Sequence, residues 1–176
     1  MDATASHARS TPERHQIDRT RWVSIRPIEQ SDAAGLSDFY ARLSPESRRR
    51  RFLSCGTRPS DDLAHAFTER DGEGFVGILR ELGPRDGAVV AHASIQPDGQ
   101  GRAEIAFAVA DELQGRGLGR DLMNAVTQHA RRLGLQELSA MLYTENAPMR
   151  QLLRGTGLRV VAARIDLGVE EITLAV

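Results

Sequence analysis

The chain has 176 residues, 40% of them hydrophobic and 27% charged, with a formal net charge of -1 at pH 7. That composition fits one soluble domain, and the balanced charge argues against a dedicated nucleic-acid binder, which is usually clearly basic. The lone cysteine, Cys55, excludes an internal disulfide and a cysteine zinc site. All 23 Lys+Arg residues are Arg. Without Lys there is no Schiff-base chemistry and no Walker A loop. No stretch approaches the ~18 consecutive apolar residues of a membrane span. The first twenty residues lack an apolar signal core, so a cytoplasmic location is expected.

Residues 1–20 are polar, with Ile17 the one large aliphatic after Met1, and read as a disordered tail. A domain is expected over 21–176. Val23 and Ile25 alternate with polar residues, as in a half-buried strand that Pro27 ends. Ser31-Asp32 reads as the cap of a helix carrying Leu36, Phe39, Tyr40 and Leu43 at helical spacing. Ser44-Pro45-Glu46-Ser47 has the order of a second helix start. The arginines 48–51 that follow point about 100° apart, so they wrap the helix instead of forming one basic face. They read as a solvated helix, with an anionic substrate or cofactor phosphate nearby as the alternative. Ser60-Asp61-Asp62 reads as the cap of a short helix reaching Arg70.

Three strand-like segments follow, 74–82, 88–96 and 102–110, separated by Gly/Pro/Asp turn clusters, which predicts an antiparallel meander. A long helix is predicted from about Gly117 to Leu133, with Leu118, Leu122, Val126, Ala130 and Leu133 on one stripe and Gly134 ending it. A strand over 137–143, a helix from about Asn146, and strands over 158–164 and 169–176 complete the chain.

The chemistry concentrates where the meander meets the long helix. Gln114-Gly115-Arg116-Gly117-Leu118-Gly119-Arg120 is a glycine-rich loop opening a helix. Glycines let backbone approach a ligand closely. A helix start offers unpaired N–H groups and about half a positive charge, which suits a phosphate or pyrophosphate. Arg116 and Arg120 add fixed charge. A Rossmann site would need Gly at position 120, where Arg120 stands. A plain helix start packed on small residues is the other reading. Upstream, alternation puts Glu104, Ala106 and Ala108 on one strand face and Ile105, Phe107 and Val109 on the other. An acid flanked by small residues leaves room for a substrate. A solvated carboxylate, or one bonded to an Arg, is the alternative. His65, His92 and His129 share no ligand spacing, so no metal site is expected.

Gln114-Gly115-Arg116-Gly117-Leu118-Gly119 resembles the Gln/Arg-x-x-Gly-x-Gly/Ala signature of the GNAT superfamily of N-acetyltransferases. The stretch from Asn146 to Leu158 is similar to that family's final motif, and the likeness covers about residues 21–176. Ile25-Arg26-Pro27, Leu43 to Arg48 with Arg51-Phe52, and Ala103-Glu104-Ile105-Ala106-Phe107 resemble, more narrowly, bacterial Pat-type protein lysine acetyltransferase domains. No cyclic-nucleotide domain of the kind some relatives carry is expected within these 176 residues.

The resemblance implies an α/β fold with a mixed, mostly antiparallel central sheet flanked by helices, and acetyl-CoA as cosubstrate. Phe107, Ala108 and Val109 would pair with the pantetheine arm, Gln114 and Gly115 to Arg120 would cradle the pyrophosphate, and Asn146 would contact the cofactor arm. Glu104 matches the position used as general base. The Val109 N–H could stabilise the tetrahedral oxyanion. The implied acceptor is a primary amine, a protein lysine or a small molecule. A catalytically silent acyl-CoA-binding module is the rival from another class. Many members carry Tyr, as proton donor to the CoA thiolate, where Leu153 stands, so water, Tyr143 or Ser139 would have to serve. Neither nucleic acid nor membrane is expected as a partner, and oligomeric state is not implied.

Overall fold

The computed structural model describes residues 13–53, 61–69 and 74–176. Its frame is one eight-stranded sheet in the order β1-β2-β3-β4-β5-β6-β8-β7. The strands are β1 (Glu13–Gln16), β2 (Trp22–Pro27), β3 (Gly74–Arg80), β4 (Val89–Pro97), β5 (Arg102–Val109), β6 (Glu137–Tyr143), β7 (Arg159–Asp166) and β8 (Val169–Ala175). Neighbours run antiparallel except β5 and β6, which are parallel. The helices are α1 (Ala33–Arg42), α2 (Pro45–Phe52), α3 (Asp61–Thr68), α4 (Leu118–Arg132) and α5 (Ala147–Arg154). Among the described residues no helix is long and apolar enough to cross a membrane.

Burial explains the layering. Residues 74–79 of β3 and 89–95 of β4 are buried without alternation, as central strands covered on both faces must be. Tyr40 of α1 meets His92 on one face, and α4 covers the other with Leu118, Leu122, Met123, Val126 and Ala130. The predicted meander is present as β3-β4-β5. Ser44 caps α2 as its sequence suggests, its hydroxyl accepting the Ser47 N–H (3.1 Å).

Three expectations change. The segment read as a disordered tail is ordered from Glu13 on: β1 pairs with β2, Glu13 opposite Ile25 and Gln16 opposite Trp22. The Asp18 carboxylate closes that hairpin by accepting the Thr20 and Arg21 N–H groups, each at 2.9 Å. Its four polar residues carry no apolar alternation; backbone pairing makes this strand, with His15 bonded to Asp121 of α4 (2.5 Å) and Arg14 over the Trp22 ring (4.4 Å). Asp32 does not cap α1 with its side chain. Its carboxylate is taken by Arg26 in a two-pronged pair (2.7 and 2.6 Å) and by the Glu29 N–H (2.8 Å). Leu133, placed on the buried stripe of α4, is half exposed, since α4 ends at Arg132 and Leu133 stands at its C-cap. Residues 1–12, Cys55, Ser60 and Arg70 lie outside the described residues.

Candidate active site

Strands β5 and β6 form a fork. They pair from Arg102 opposite Glu137 to Glu104 opposite Ser139, and no further. Beyond that rung β5 stays with β4 as far as Val109, and β6 stays with β8 as far as Tyr143. Each prong follows its own neighbour, so a slot opens between them. The groove there has a volume of about 340 Å³ and is walled by Ala106 to Val109 on one side and Met141, Asn146 and Met149 on the other.

The strand edge facing the slot is free to bind. The Ala110 N–H donates to Val90 O (2.8 Å), toward β4. Backbone groups alternate sides along a strand, so the amide and carbonyl of Val109 face the opposite way, into the groove. Gln114 Nε2 donates to that carbonyl (3.0 Å). The Val109 amide remains available.

At the outer end lies the glycine loop. Gly115 and Gly117 have φ of 71° and 90°, left-handed values that side chains other than glycine adopt at a cost. A Cβ on Gly115 would meet nothing within 4 Å, so backbone conformation, not crowding, demands glycine. Gly117 begins α4 with no side chain capping it, which leaves the first-turn amides for a ligand. Gly115, Gly117, Leu118, Gly119 and Arg120 line the groove, and Arg116 points elsewhere, exposed. Asn146 is buried, and its Oδ1 accepts the Met149 N–H (3.2 Å) as the cap of α5. Its side-chain amide stays free to donate.

Residues that sequence reasoning missed hold this end together. Asp111 accepts the Ser47 hydroxyl (2.6 Å), the Ser44 hydroxyl (2.8 Å) and the Ser44 N–H (2.9 Å). Gln114 Nε2 also donates to Ser47 Oγ (3.1 Å). Burial pushes the Asp111 carboxyl up, but the Ser47 and Ser44 hydrogen bonds outweigh it and hold the group below its ordinary range. The Leu-Ser-Pro-Glu-Ser segment is thereby tied to the turn before the glycine loop. Spacing between the two motifs carried no sign of this pairing.

The arginines of α2 part company as the 100° rule requires. Arg48 turns back to the Leu43 carbonyl, and Arg49 reaches across to Glu145 (2.8 Å) and stacks over Tyr143 (4.2 Å). Arg50 pairs with Glu46 (2.7 Å) at the groove wall, and Arg51 turns inward to Ser94 Oγ (2.9 Å).

Glu104 sits on the last paired rung of the fork, exposed and bonded to no described residue. It lines a second cavity, of about 430 Å³, with Asp98, Glu137, Ser139 and Glu171. Leu153 is fully buried and stays out of the groove. Ser139 stands opposite Glu104, and Tyr143 lies under Arg49.

Residues 36–158 match the Acetyltransferase (GNAT) family model. The chain is 33% identical over 163 residues to the acetyltransferase Pat of Mycolicibacterium smegmatis, covering 90% of this chain and 47% of that protein. It thus spans about half the length of that relative. It is 32% identical over 145 residues to an acetyltransferase of Pseudomonas aeruginosa, covering 80% of this chain and 77% of the other. Among solved structures, the GNAT domain of S. lividans PAT superposes with a TM-score of 0.74 at 25% identity, over 88% of this chain and 91% of that domain. The yncA protein of Salmonella typhimurium, solved with its cofactor acetyl-CoA, superposes with a TM-score of 0.65 at 21% identity, over 88% and 92%. The chain belongs to the GNAT family, the family of acetyl-CoA-dependent N-acetyltransferases.

Proposed function

We propose that this chain moves an acetyl group from acetyl-CoA directly to a primary amine, a protein lysine in the first instance, with Glu104 as general base. The observation that carries the reading is the fork: a slot with free strand amides, an anion-binding helix start at its outer end and a carboxylate on the rung where it closes.

The residues present fit acetyl-CoA. Its pyrophosphate meets the amides of Gly115 to Gly119, its pantetheine arm the open edge of Phe107 to Val109, and its amide groups the free Asn146 donor. The thioester supplies an activated acetyl carbon. The Val109 N–H faces the slot, where an oxyanion forming on that carbon can accept it.

The acceptor arrives protonated. An alkyl ammonium has a pKa near ~10.4, so presenting a free amine at pH 7 costs about 4–5 kcal/mol. A carboxylate in reach, directly or through one water, takes that proton. Glu104 opens onto the cavity shared with Asp98, Glu137 and Glu171. That acidic lining favours a cation, and Arg102 offsets part of it by pairing with Glu137 (2.8 Å). The preference for a protein lysine over a small amine rests on the Pat likeness.

Thiol release from acetyl-CoA, measured with lysine peptides and with small amines, tests the reading. Release with peptides supports a protein acceptor, and release with small amines alone moves the assignment to them. CoA binding without release from any amine identifies a silent acyl-CoA-binding module. The absence of Lys from the chain makes acetyl-lysine detection free of background from the enzyme itself.

A further inference from the structure

Arg51 is a partly buried cation that no described carboxylate neutralises. Its guanidinium donates to Ser94 Oγ (2.9 Å) and stands over Phe52 and Phe67, 5.0 and 5.2 Å from their ring centroids. Its Nε is sealed from solvent and has no hydrogen-bond partner. Behind it the Tyr40 hydroxyl meets His92 Nδ1 (2.6 Å), both residues fully buried. Burial first, and the Arg51 cation second, hold the His92 imidazole neutral, well below its usual range. Burial likewise raises the Tyr40 phenol above its usual value. The described groups that meet the cation are therefore uncharged. Among the described residues no carboxylate pairs with it, and Glu46 on the same helix is engaged by Arg49 and Arg50.

A partly buried cation with no carboxylate partner among the described residues favours an anion brought into the groove it lines. Aromatic faces attract such a cation. They do not supply an anion, and the place of the residue says where one comes from. Ser94 stands opposite Ala106, just beyond the rung where the fork opens, and Arg51 lines the groove beside Ala106 and Phe107. That is the stretch of the slot between its closing rung and the Val109 N–H, where the thioester lies in the acetyl-transfer reading. The position that carries the tyrosine acid in many relatives holds Leu153, aliphatic and outside the groove.

We propose that Arg51 stabilises the thiolate of CoA as it leaves, so that departure needs no proton donor; this rests on the acetyl-transfer reading above. In the collapsing tetrahedral intermediate the C–S bond breaks and its electron pair stays on sulfur. The carbonyl re-forms from the oxyanion. Glu104 has by then released the ammonium proton to water; it takes the surplus proton of the nitrogen and passes that to water in turn. Arg51 keeps all its protons and contributes positive charge and N–H donors. The thiolate takes its proton from water once outside the slot. The cation is fixed in advance by Ser94 and the two rings, so little reorganisation is needed as charge develops.

Titrating the thiol of CoA bound to the protein, followed by thiolate absorbance in the ultraviolet, tests this without turnover. A cation within ~4–6 Å lowers such a pKa by about one unit or more, roughly tenfold more thiolate at a given pH. Arg51→Met returns the bound thiol to its free value while the calorimetric Kd for CoA stays within about threefold, because the pyrophosphate end is untouched. The kcat of acetyl transfer falls roughly 10²-fold with little change in KM for acetyl-CoA. If Arg51→Met does not fold, Arg51→Gln removes the charge and keeps a donor for Ser94. A bound thiol that titrates like free CoA in the unsubstituted protein, or one still shifted in either variant, overturns the role of Arg51 and leaves acetyl transfer standing. CoA binding with no measurable heat and no competition against acetyl-CoA overturns both.

Discussion

The Ser47 hydroxyl donates to Asp111 Oδ1 across 2.6 Å and so joins the first turn of α2 to the turn that leads into the glycine loop. Asp111 holds Ser44 as well. One carboxylate thereby ties the α2 wall of the groove to the turn before its glycine loop.

Asp111→Asn keeps the shape and loses the charge. Hydrogen bonds to a charged group contribute about 1.5–3 kcal/mol, less at an exposed position where water screens them, so a loss of about 1 kcal/mol is expected in urea unfolding. The sign with pH follows from the depressed folded pKa. The contribution is fully present above the ordinary aspartate value of 3.8 and is lost as pH falls through the lower folded value. The gap between the two proteins stays constant from about pH 5 to 8 and closes below pH 4. A gap of equal size at acid pH contradicts the role of the charge.

Glu104→Gln removes the proposed base from the fork's last rung without touching the groove lining. Loss of a general base lowers kcat by about 10²–10⁴-fold, with CoA affinity by calorimetry unchanged. Turnover that survives the substitution shows that another group takes the amine proton.

Gly115→Ala tests the loop. A Cβ there meets no atom within 4 Å, so any effect comes from φ of 71°. Holding alanine in that region costs about 1 kcal/mol or more. The loop relaxes to a different path and the first-turn amides lose their alignment. CoA affinity drops about tenfold while the urea midpoint moves little. Unchanged affinity means that the loop's conformation does not matter to the cofactor.

His92 makes stability depend on pH. Its folded pKa lies well below the ordinary 6.5, so the unfolded chain takes up a proton first as pH falls. Stability is flat with respect to this residue above about pH 6.5 and declines below it. Urea midpoints measured between pH 8 and 5 show the decline, and His92→Asn reduces its slope. Tyr40→Phe leaves His92 Nδ1 without the hydroxyl at 2.6 Å, a loss of about 1–3 kcal/mol at neutral pH.

Much of the fold was legible where a residue's own chemistry decides its conformation. Ser44 and Pro45 start a helix because a hydroxyl acceptor and a missing N–H suit that position wherever it occurs. Leu118, Leu122, Val126 and Ala130 mark the covered side of α4 because apolar groups at helical spacing must face away from water. The glycine loop was legible for the same reason, since left-handed backbone selects glycine locally.

The remainder depends on partners distant in the chain. β1 exists because β2 offers it an open edge, and nothing in Glu13-Arg14-His15-Gln16 alone favours a strand. The arginines of α2 look alike in sequence. Their directions follow from the helical twist, but only Ser94, Glu145 and the Leu43 carbonyl, brought up by other elements, give each a different use. The fork is likewise invisible to pattern, because β5 and β6 alternate as ordinary strands do, and where they part depends on which neighbour each follows. The sequence by itself determined the helix starts, the buried stripes and the glycine loop, all properties of a few adjacent residues. Tertiary structure alone decided which carboxylate faces which cavity and which arginine meets no carboxylate among the described residues, because the partners of a charge are set by what surrounds it in space.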